Sequence, residues 1–370
     1  MKRIKIIIAL IVTAVIATTG AVTVKNLTSG KAPEPEKTSK VKVTDEKGGE
    51  KEIVLTSINP LTGIDDLSEE AIGKRPVAIM INNIKKALPQ YGISDADIMF
   101  EIPVEGGITR MMALYADYTK VPDVCSIRSC RYYFPVFAHG FDAVYFCFGS
   151  NQSLATPMLQ KLGIDYFDGN VNYDQLVFGR DPDRLGRYSS EHTAYVKGSG
   201  IPALLEKYSI RTDRLTEKNE PIFKFSSKVK MPEDAAVCDK LNVKFSSSYF
   251  STFNYNAESG TYLKQHSGNP HMDQRADKQL EFKNLFILET TVSLHENGPL
   301  VDVDWKGGTG YYITKGKAQK ITWEKPTAES NIRVLDATGK EISVNEGKSY
   351  FAVVNPGRTT IKANETPASS

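Results

Sequence analysis

The chain has 370 residues, of which 41% are hydrophobic and 24% charged, as in globular proteins with two domains of ordinary size. Its 46 basic and 44 acidic residues give a formal net charge of +2, so no overall field favours nucleic acid, and we expect no nucleic-acid partner. An anionic ligand would have to bind a local cluster of basic side chains.

The N-terminal residues predict export to the cell envelope. A basic flank at residues 1–5 precedes residues 6–24, which carry no charge and are nearly long enough to span a bilayer. The flank places the rest of the chain outside the cytoplasm. Residues 1–29 are interpreted as a single-span anchor in the cell membrane, with a cleaved signal peptide and a secreted protein as the alternative. No cysteine lies near this segment, so the diacylglyceryl anchor of a bacterial lipoprotein is not expected.

Residues 30–56 predict a disordered linker. They are rich in Lys, Glu and Pro and have almost no large apolar residues, so they cannot bury a core. An extended linker of this kind would hold the globular part away from the membrane surface.

Residues 57–215 predict an N-terminal α/β-type domain with a central mixed sheet. Continuous apolar runs indicate buried strands. The predicted strands are residues 77–81, 98–104, 109–116 and 141–148. Helices are predicted at residues 134–139 and within residues 151–165, where apolar residues recur every four positions.

From residue 216 the pattern changes to short alternating segments separated by turn residues. This pattern predicts a β-rich domain over residues 216–363, either a sandwich or a barrel. Residues 364–370 are expected to be a frayed tail. The predicted fold class is therefore α+β, with an α/β-type domain followed by a β-rich domain.

The first candidate chemistry surrounds a predicted hairpin with two glycines at its turn. Glu101 and Glu105 precede the turn and Arg110 follows it, so Arg110 would return toward the two acids. One interpretation is a ligand site, in which the two acids act as base or orienting groups and Arg110 binds an anion. The other is a partly buried ion pair that closes the hairpin.

The second candidate is the pair Arg128 and Arg131, with serine between them and three aromatic residues after them. On a helical turn, residues three apart share a face. The guanidinium group suits bidentate binding of carboxylate or phosphate, so the pair indicates an anion site. The alternative is two solvated surface charges.

These motifs resemble the YerB family of bacterial envelope lipoproteins, whose paired domains have no established activity. The resemblance covers about residues 57–356 and depends on four motifs: ExxxEGGxTR at 101–110, RSxR at 128–131, GNPHMD at 268–273, and GTG…GK…TW over 308–323. It implies an envelope location and a two-domain layout. The chain departs from the family at three places, since it lacks Gly-Pro before RSxR, a His with a double Gly after residue 147, and Pro-His-Asn at 191–193.

Two histidines complete the candidate set. His271, followed by Asp273, is the second catalytic candidate because histidine titrates near neutral pH, although a satisfied loop histidine is the alternative. His192 follows the paired arginines Arg184 and Arg187. The sequence has no histidine set with metal spacing, no P-loop, no Rossmann fingerprint and no GxSxG motif, so we expect neither a metal nor a cofactor.

We therefore hypothesise a membrane-tethered extracytoplasmic protein that binds an anionic envelope ligand, either a wall glycan or a phosphate-bearing polymer. The predicted ligand-binding residues are Glu101, Arg110, Arg128, Arg131, His192 and Asp273. One alternative is a hydrolase or transferase acting on such a polymer, with Glu105 or His271 as the general base and the arginines stabilising developing charge. The other is a structural adaptor for another envelope protein, and the sequence leaves open whether the protein is an enzyme.

Overall fold

The computed structural model describes most of the chain, namely residues 38–44, 50–215, 218, 221–296 and 298–363. The predicted anchor over residues 1–29 and the predicted tail over residues 364–370 lie outside the described residues. Within the described part, no helix is long and apolar enough to cross a membrane.

Strands dominate the described residues, and the helices are short. The α-helices are α1 (Tyr133–Gly140), α2 (Ala155–Leu162) and α3 (Ile201–Lys207). Single 3-10 turns cover Glu69–Ala71, Lys85–Ala87, Glu105–Gly107, Ser190–His192 and Gly198–Gly200. The first strands are β1 (Thr38–Thr44), β2 (Glu50–Thr56), β3 (Val77–Asn82), β4 (Ile98–Pro103), β5 (Thr109–Tyr115), β6 (Val124–Cys125), β7 (Val144–Cys147), β8 (Tyr166–Asp168), β9 (Phe178–Arg180), β10 (Ala194–Val196) and β11 (Lys224–Phe225).

The remaining strands lie in the region predicted to be β-rich. They are β12 (Ala236–Val237), β13 (Lys240–Lys244), β14 (Phe250–Asn256), β15 (Thr261–His266), β16 (Asn269–Pro270), β17 (Met272–Asp273), β18 (Lys278–Gln279), β19 (Glu281–Phe282), β20 (Asn284–Glu289), β21 (Val292–Leu294), β22 (Val301–Val303), β23 (Gly307–Thr314), β24 (Lys317–Glu324), β25 (Arg333–Leu335), β26 (Ser343–Val344), β27 (Ser349–Val354) and β28 (Thr359–Lys362).

The four strands predicted in the N-terminal region are confirmed as β3, β4, β5 and β7. The predicted helices are confirmed as α1 and α2. The strand predicted at residues 141–148 is shorter than expected, because α1 runs to Gly140 and the backbone N–H of Phe141 still donates a hydrogen bond to Ala138 of that helix.

Part of the predicted linker forms a hairpin. β1 and β2 pair in antiparallel fashion, with Thr38 opposite Thr56. The prediction of disorder over residues 30–56 is therefore corrected for these two strands. Val41 and Val43 alternate with lysine in the sequence, a pattern that favours an extended strand, and the hairpin pairs its backbone groups locally.

One 11-stranded sheet runs through the protein. Its strand order is β12-β24-β23-β20-β27-β4-β5-β3-β7-β8, with β25 paired to β24. β3, β7 and β8 run parallel to one another, whereas β5 is antiparallel to both β3 and β4. The central sheet is therefore mixed, as predicted.

The two predicted domains meet inside this central sheet. β27 lies parallel to β4, with Ser349 opposite Ile98 and Ala352 opposite Glu101. The C-terminal strands thus divide between the central sheet and a second sheet, instead of forming a sandwich or barrel on their own. The α+β class stands, the barrel-like form is not confirmed, and the domain boundary after residue 215 stays a prediction.

Two apolar cores lie on the two faces of the central sheet. Helices α1 and α2 cover one face, and their buried side chains join those of β4 and β27 in the first core. A 6-stranded sheet, with the order β16-β15-β14-β13-β28 and β19 beside β15, covers the other face. In this second core the ring centroid of Phe253 lies 4.7 Å from that of Tyr350.

Stacked aromatic rings connect β4, β20 and β27 in the first core. The ring centroid of Phe351 lies 4.7 Å from that of Phe100 and 4.5 Å from that of Phe286, and all three side chains are fully buried. Phe137 of α1 stacks on Phe100 at 5.2 Å. The N-terminal and C-terminal strands therefore share one packed core, which predicts that they unfold together.

We expect Phe351→Ala to lower the free energy of unfolding by about 3–5 kcal/mol, because it leaves a cavity in the shared stack. Urea unfolding followed by circular dichroism and tryptophan fluorescence should give one coincident transition in both proteins. The matched control is Val237→Ala on β12, where the side chain is exposed, with an expected change within about 0.5 kcal/mol. Separate transitions for the two halves would contradict the shared core.

Candidate functional site

The register of the central sheet separates two residues that the sequence places in one site. Arg110 lies opposite Ile102 on β4, and Glu101 lies opposite Met111 on β5. Directly opposed residues share a face, and successive residues alternate between faces. Glu101 and Arg110 therefore lie on opposite faces, and the expectation that Arg110 returns to both acids is not met for Glu101.

Glu101 lies in the second core, where it is 1% exposed and forms an ion pair with Lys264 of β15, Nζ to Oε2 at 3.1 Å. The Lys264 side chain is completely buried. Four further side chains donate hydrogen bonds to the carboxylate of Glu101: Asn83 Nδ2 at 3.0 Å, Thr109 Oγ1 at 2.8 Å, Ser251 Oγ at 2.9 Å, and the hydroxyl of Tyr350.

The catalytic candidate His271 belongs to the same buried network. Lys264 Nζ lies 3.0 Å from His271 Nδ1, and His271 Nε2 lies 2.9 Å from Gln90 Oε1. An ammonium group only donates, so Nδ1 accepts and the ring proton on Nε2 is donated to Gln90. Both ring nitrogens are therefore engaged, and the ring is 2% exposed.

The charges in this network follow from burial and contact. Burial raises the pKa of Glu101, but the charge of Lys264, with the hydrogen bonds from Tyr350 and Thr109, holds it below its ordinary value. Burial lowers the pKa of Lys264, and Glu101 opposes that change. The contact between Lys264 and Glu101, sealed from solvent, joins the second sheet to the central sheet.

The buried histidines stay neutral for the same reasons. Burial, then the charge of Lys264, lowers the pKa of His266 to about 4. Burial, then the charge of Lys264, holds the pKa of His271 well below its ordinary value. A proton donor or acceptor for a bound substrate needs access to it, and neither ring offers that in this arrangement.

The arginines predicted from the sequence lie elsewhere, and the structure brings three of them together. We use the term arginine cluster for Arg110, Arg128 and Arg131. Arg131 Nε donates to both carboxylate oxygens of Glu105, at 2.9 and 2.8 Å. Arg128 pairs with Glu191, NH2 to Oε2 at 2.6 Å, with the Arg128 side chain 28% exposed.

Among the described residues, Arg110 is the member of the arginine cluster that has no ion pair. It is 7% exposed, and its NH1 donates to the carbonyl of Ser129. Burial, then the charges of Arg131 and Arg128, lowers the pKa of Arg110 to about 10, so the guanidinium stays charged.

This cluster adjoins the carboxyl ends of the parallel strands β3, β7 and β8. Asn82, at the end of β3, pairs with Arg110 across the sheet. Asp168, at the end of β8, accepts hydrogen bonds from the backbone N–H groups of Gly149 at 2.5 Å and Asn170 at 2.9 Å. Ligand sites of open α/β sheets gather at such strand ends.

Asp168 and Lys264 are two buried charged residues that the sequence patterns do not single out. Asp168 is completely buried, and its Oδ2 has no hydrogen-bond partner among the described residues. The sequence pattern that could indicate Asp168 is its position between two aromatic residues and a Gly-Asn turn. Lys264 occupies a strand position that shares a face with Tyr262 and His266, and only the fold shows that this face is buried.

The two remaining candidates have structural partners. His192 is 2% exposed, and its Nδ1 lies 3.0 Å from Asn82 Nδ2, while its Nε2 lies 3.5 Å from the Glu191 carboxylate beside the arginine cluster. Asp273 accepts hydrogen bonds from three backbone N–H groups, one of them that of Ser94 at 2.9 Å. Asp273 therefore stabilises a turn, and the roles of both residues in ligand binding stay predictions.

Comparisons with known proteins agree on the two-part layout. Two family models match, "Protein of unknown function (DUF3048) N-terminal domain" over residues 61–211 and the corresponding C-terminal domain over residues 241–351. A curated protein of Bacillus subtilis (strain 168), named "Putative lipoprotein YerB", is 26% identical over 307 residues, which are 82% of this chain and 84% of the relative. The crystal structure of YerB from Bacillus subtilis has a TM-score of 0.70 at 24% identity, covering 82% of this chain and 99% of that chain.

We expect Lys264→Met to lower the free energy of unfolding by about 3–5 kcal/mol, because the Glu101 carboxylate is then buried without its cation. The double variant Glu101→Gln/Lys264→Met should recover part of that loss. The matched control, Lys240→Met on strand β13 of the same sheet, removes an exposed lysine and should change little. A loss below about 1 kcal/mol in urea unfolding would contradict the structural role of the pair.

Stability should also fall as the pH is lowered from about 6.5 toward 4. The unfolded chain binds a proton at His266 near pH 6.5, whereas the folded protein resists protonation until about pH 4, so acid favours the unfolded state. The contribution of His266 is up to about 3 kcal/mol. His266→Gln should give a flatter plot of unfolding free energy against pH, and an unchanged slope would contradict the burial of a neutral ring.

Proposed function

We propose, from the premise that this chain belongs to the family with paired DUF3048 N- and C-terminal domains, that it binds an anionic cell-envelope ligand outside the cytoplasm. The proposed ligand class is a wall glycan or a phosphate-bearing polymer, and the proposed site is the arginine cluster. The N-terminal segment associates the protein with the cell membrane.

The membrane association is supported by two observations. The basic flank and the uncharged residues 6–24 have the pattern of an export or anchor segment. The relative from Bacillus subtilis carries the word lipoprotein in its name. The first cysteine of this chain is Cys125, so the apolar segment itself is the proposed means of attachment.

The observation that carries the proposed ligand is the state of Arg110. Its guanidinium is nearly buried, charged, and without an ion pair in the described part of the chain, between two further arginines. Removing such a charge from water costs on the order of several kcal/mol unless an anion meets it. A carboxylate or phosphate oxygen entering beside Arg110 would supply that anion, and guanidinium groups bind both in bidentate fashion.

The surroundings of Arg110 fit the same ligand. Arg128 and Arg131 are each held by one glutamate, so their positions are set before a ligand arrives. Each guanidinium has five N–H donors, which leaves capacity for a second anion. The strand ends that adjoin the cluster are the common location of ligand sites in open α/β sheets.

The enzyme alternative receives less support. Glu105 is paired with Arg131 in the arginine cluster, whereas His271 lies in the buried network of Glu101 and Lys264. His271, which is 2% exposed, therefore lacks access to a substrate, and Glu105 already accepts two hydrogen bonds from Arg131. Simple binding needs only the arginine cluster.

The test is a thermal-shift series on the detergent-solubilised full chain with sugar phosphates and a phosphate-bearing wall polymer. A ligand that binds only the folded state raises the melting temperature, by a stabilisation of about 2.7 kcal/mol when its concentration is 100 times Kd. We expect this shift in the wild type and its loss in Arg128→Ala/Arg131→Ala.

The matched control is Arg333→Ala/Arg358→Ala, which removes two exposed arginines from strand and loop positions outside the cluster. Arg333 also forms two glutamate ion pairs, so the control reproduces the loss of such contacts. It should keep the ligand-induced shift. An equal shift in the cluster variant and the wild type would exclude the arginine cluster as the site.

A further inference from the structure

A second charged site lies apart from the arginine cluster, in a pocket of about 200 Å³. One wall comes from Tyr91 and from residues 181–188, in the region of the N-terminal family match. The rest of the lining comes from Gln274 and Arg275, in the region of the C-terminal family match. We call it the Tyr91 pocket.

Aromatic rings hold two of the arginines of the Tyr91 pocket in place. The guanidinium of Arg275 lies 3.7 Å from the ring centroid of Tyr91. That of Arg184 lies 4.7 Å from the centroid of Tyr188 and 5.7 Å from that of Tyr91. A guanidinium fixed on a ring loses less conformational freedom when it binds a ligand, so these donors are preorganised.

The wall of this pocket also holds hydrogen-bonding capacity that the protein does not use. Arg184 is 2% exposed, and its NH1 and NH2 donate to the carbonyls of Ala87 and Pro89. Its Nε has no hydrogen-bond partner in the described ranges. The nearest carboxylate to Arg184 Nε, that of Asp181, is 3.6 Å away, which is too far for a hydrogen bond.

The charges that line the pocket favour an anion. Three arginines face two aspartates, and the third arginine, Arg187, uses its Nε to donate to the carbonyl of Asp183 at 2.6 Å. Arg187 is exposed at the pocket rim, and no ion pair of its side chain occurs among the described residues. Arginine donors that converge on one space are the usual partners of carboxylate and phosphate groups.

We propose that the Tyr91 pocket binds a small organic anion that carries one carboxylate or phosphate group. Its volume is below the usual range of about 300–1,000 Å³ for sites of drug-sized ligands, so the ligand is the size of a single sugar or amino acid unit. The proposal does not depend on the arginine cluster, because none of the cluster's residues lines this pocket.

An occupied pocket would connect the two halves of the protein. Arg187 approaches the anion from one family-matched region and Arg275 from the other. Arg275 is already tied across this boundary by its ion pair with Asp123, NH1 to Oδ2 at 3.2 Å. A bound anion would add a second connection, which predicts a ligand-dependent rise in the unfolding temperature.

The test is isothermal titration calorimetry on the detergent-solubilised full chain with glucuronate and with glucose 6-phosphate, and with glucose as the neutral probe. We expect one or both anions to bind and glucose not to bind. Arg187→Gln/Arg275→Gln should weaken binding by about tenfold or more, since each substitution removes a charged hydrogen-bond donor at the rim. The matched control, Arg333→Gln, should bind as the wild type does.

The outcomes are distinguishable. A preference for glucuronate identifies a carboxylate site, and a preference for glucose 6-phosphate identifies a phosphate site. Binding that is lost in Arg128→Ala/Arg131→Ala but kept in Arg187→Gln/Arg275→Gln would assign the anion to the arginine cluster and overturn the proposal. Failure of both anions to bind at millimolar concentration, or equal binding of glucose, would also overturn the proposal. Neither result would affect the proposed polymer ligand of the arginine cluster, which the thermal-shift series tests separately.

Discussion

The buried ion pair between Glu101 and Lys264 constrains the rest of the structure. Two charges with no access to water require each other, and the surrounding donors fix the carboxylate in a single orientation. β4 must therefore present Glu101 to the second sheet. Because side chains alternate along a strand, Arg110 on β5 is directed to the opposite face of the central sheet, which α1 and α2 cover.

This division separates the buried network of Glu101 from the arginine cluster, which is the proposed anion site. Between the central sheet and the second sheet, the buried polar groups of Glu101, Lys264 and His271 are satisfied by one another and by their neighbours. On the helix side, charged residues lie near strand ends and loops, and some remain incompletely matched. Arg110 is nearly buried and Asp168 fully buried. Arg110 has no ion pair in the described residues, and Oδ2 of Asp168 has no hydrogen-bond partner there. A bound ligand can supply the missing ion pair or hydrogen bond at such a position.

Local sequence patterns predicted much of the fold. Apolar runs located β3, β4, β5 and β7, and the motif resemblance to the YerB family is confirmed by the comparisons. The pairing of β27 with β4 was not predictable, because no local pattern records which distant strand becomes a neighbour. The same limit applied to the candidate site. Arg128 and Arg131 could be identified from their spacing along the chain. The strand register places Glu101 on the other face of the sheet, and a local pattern does not record that register. The structural role of Lys264 depends on its ion pair with Glu101, which lies on another sheet.

The position of β27 also determines when the protein can finish folding. β27 spans Ser349–Val354, close to the C-terminal end, and it fills the gap between β20 and β4. A chain that emerges N-terminus first therefore exposes one unpaired edge of β4 until nearly all of it has been delivered. Unpaired edges and late, long-range strand contacts slow folding and favour aggregation. Completion of the fold thus waits for the last strands of the chain, so a truncated product would lack a partner for β4 even though the N-terminal residues were all present.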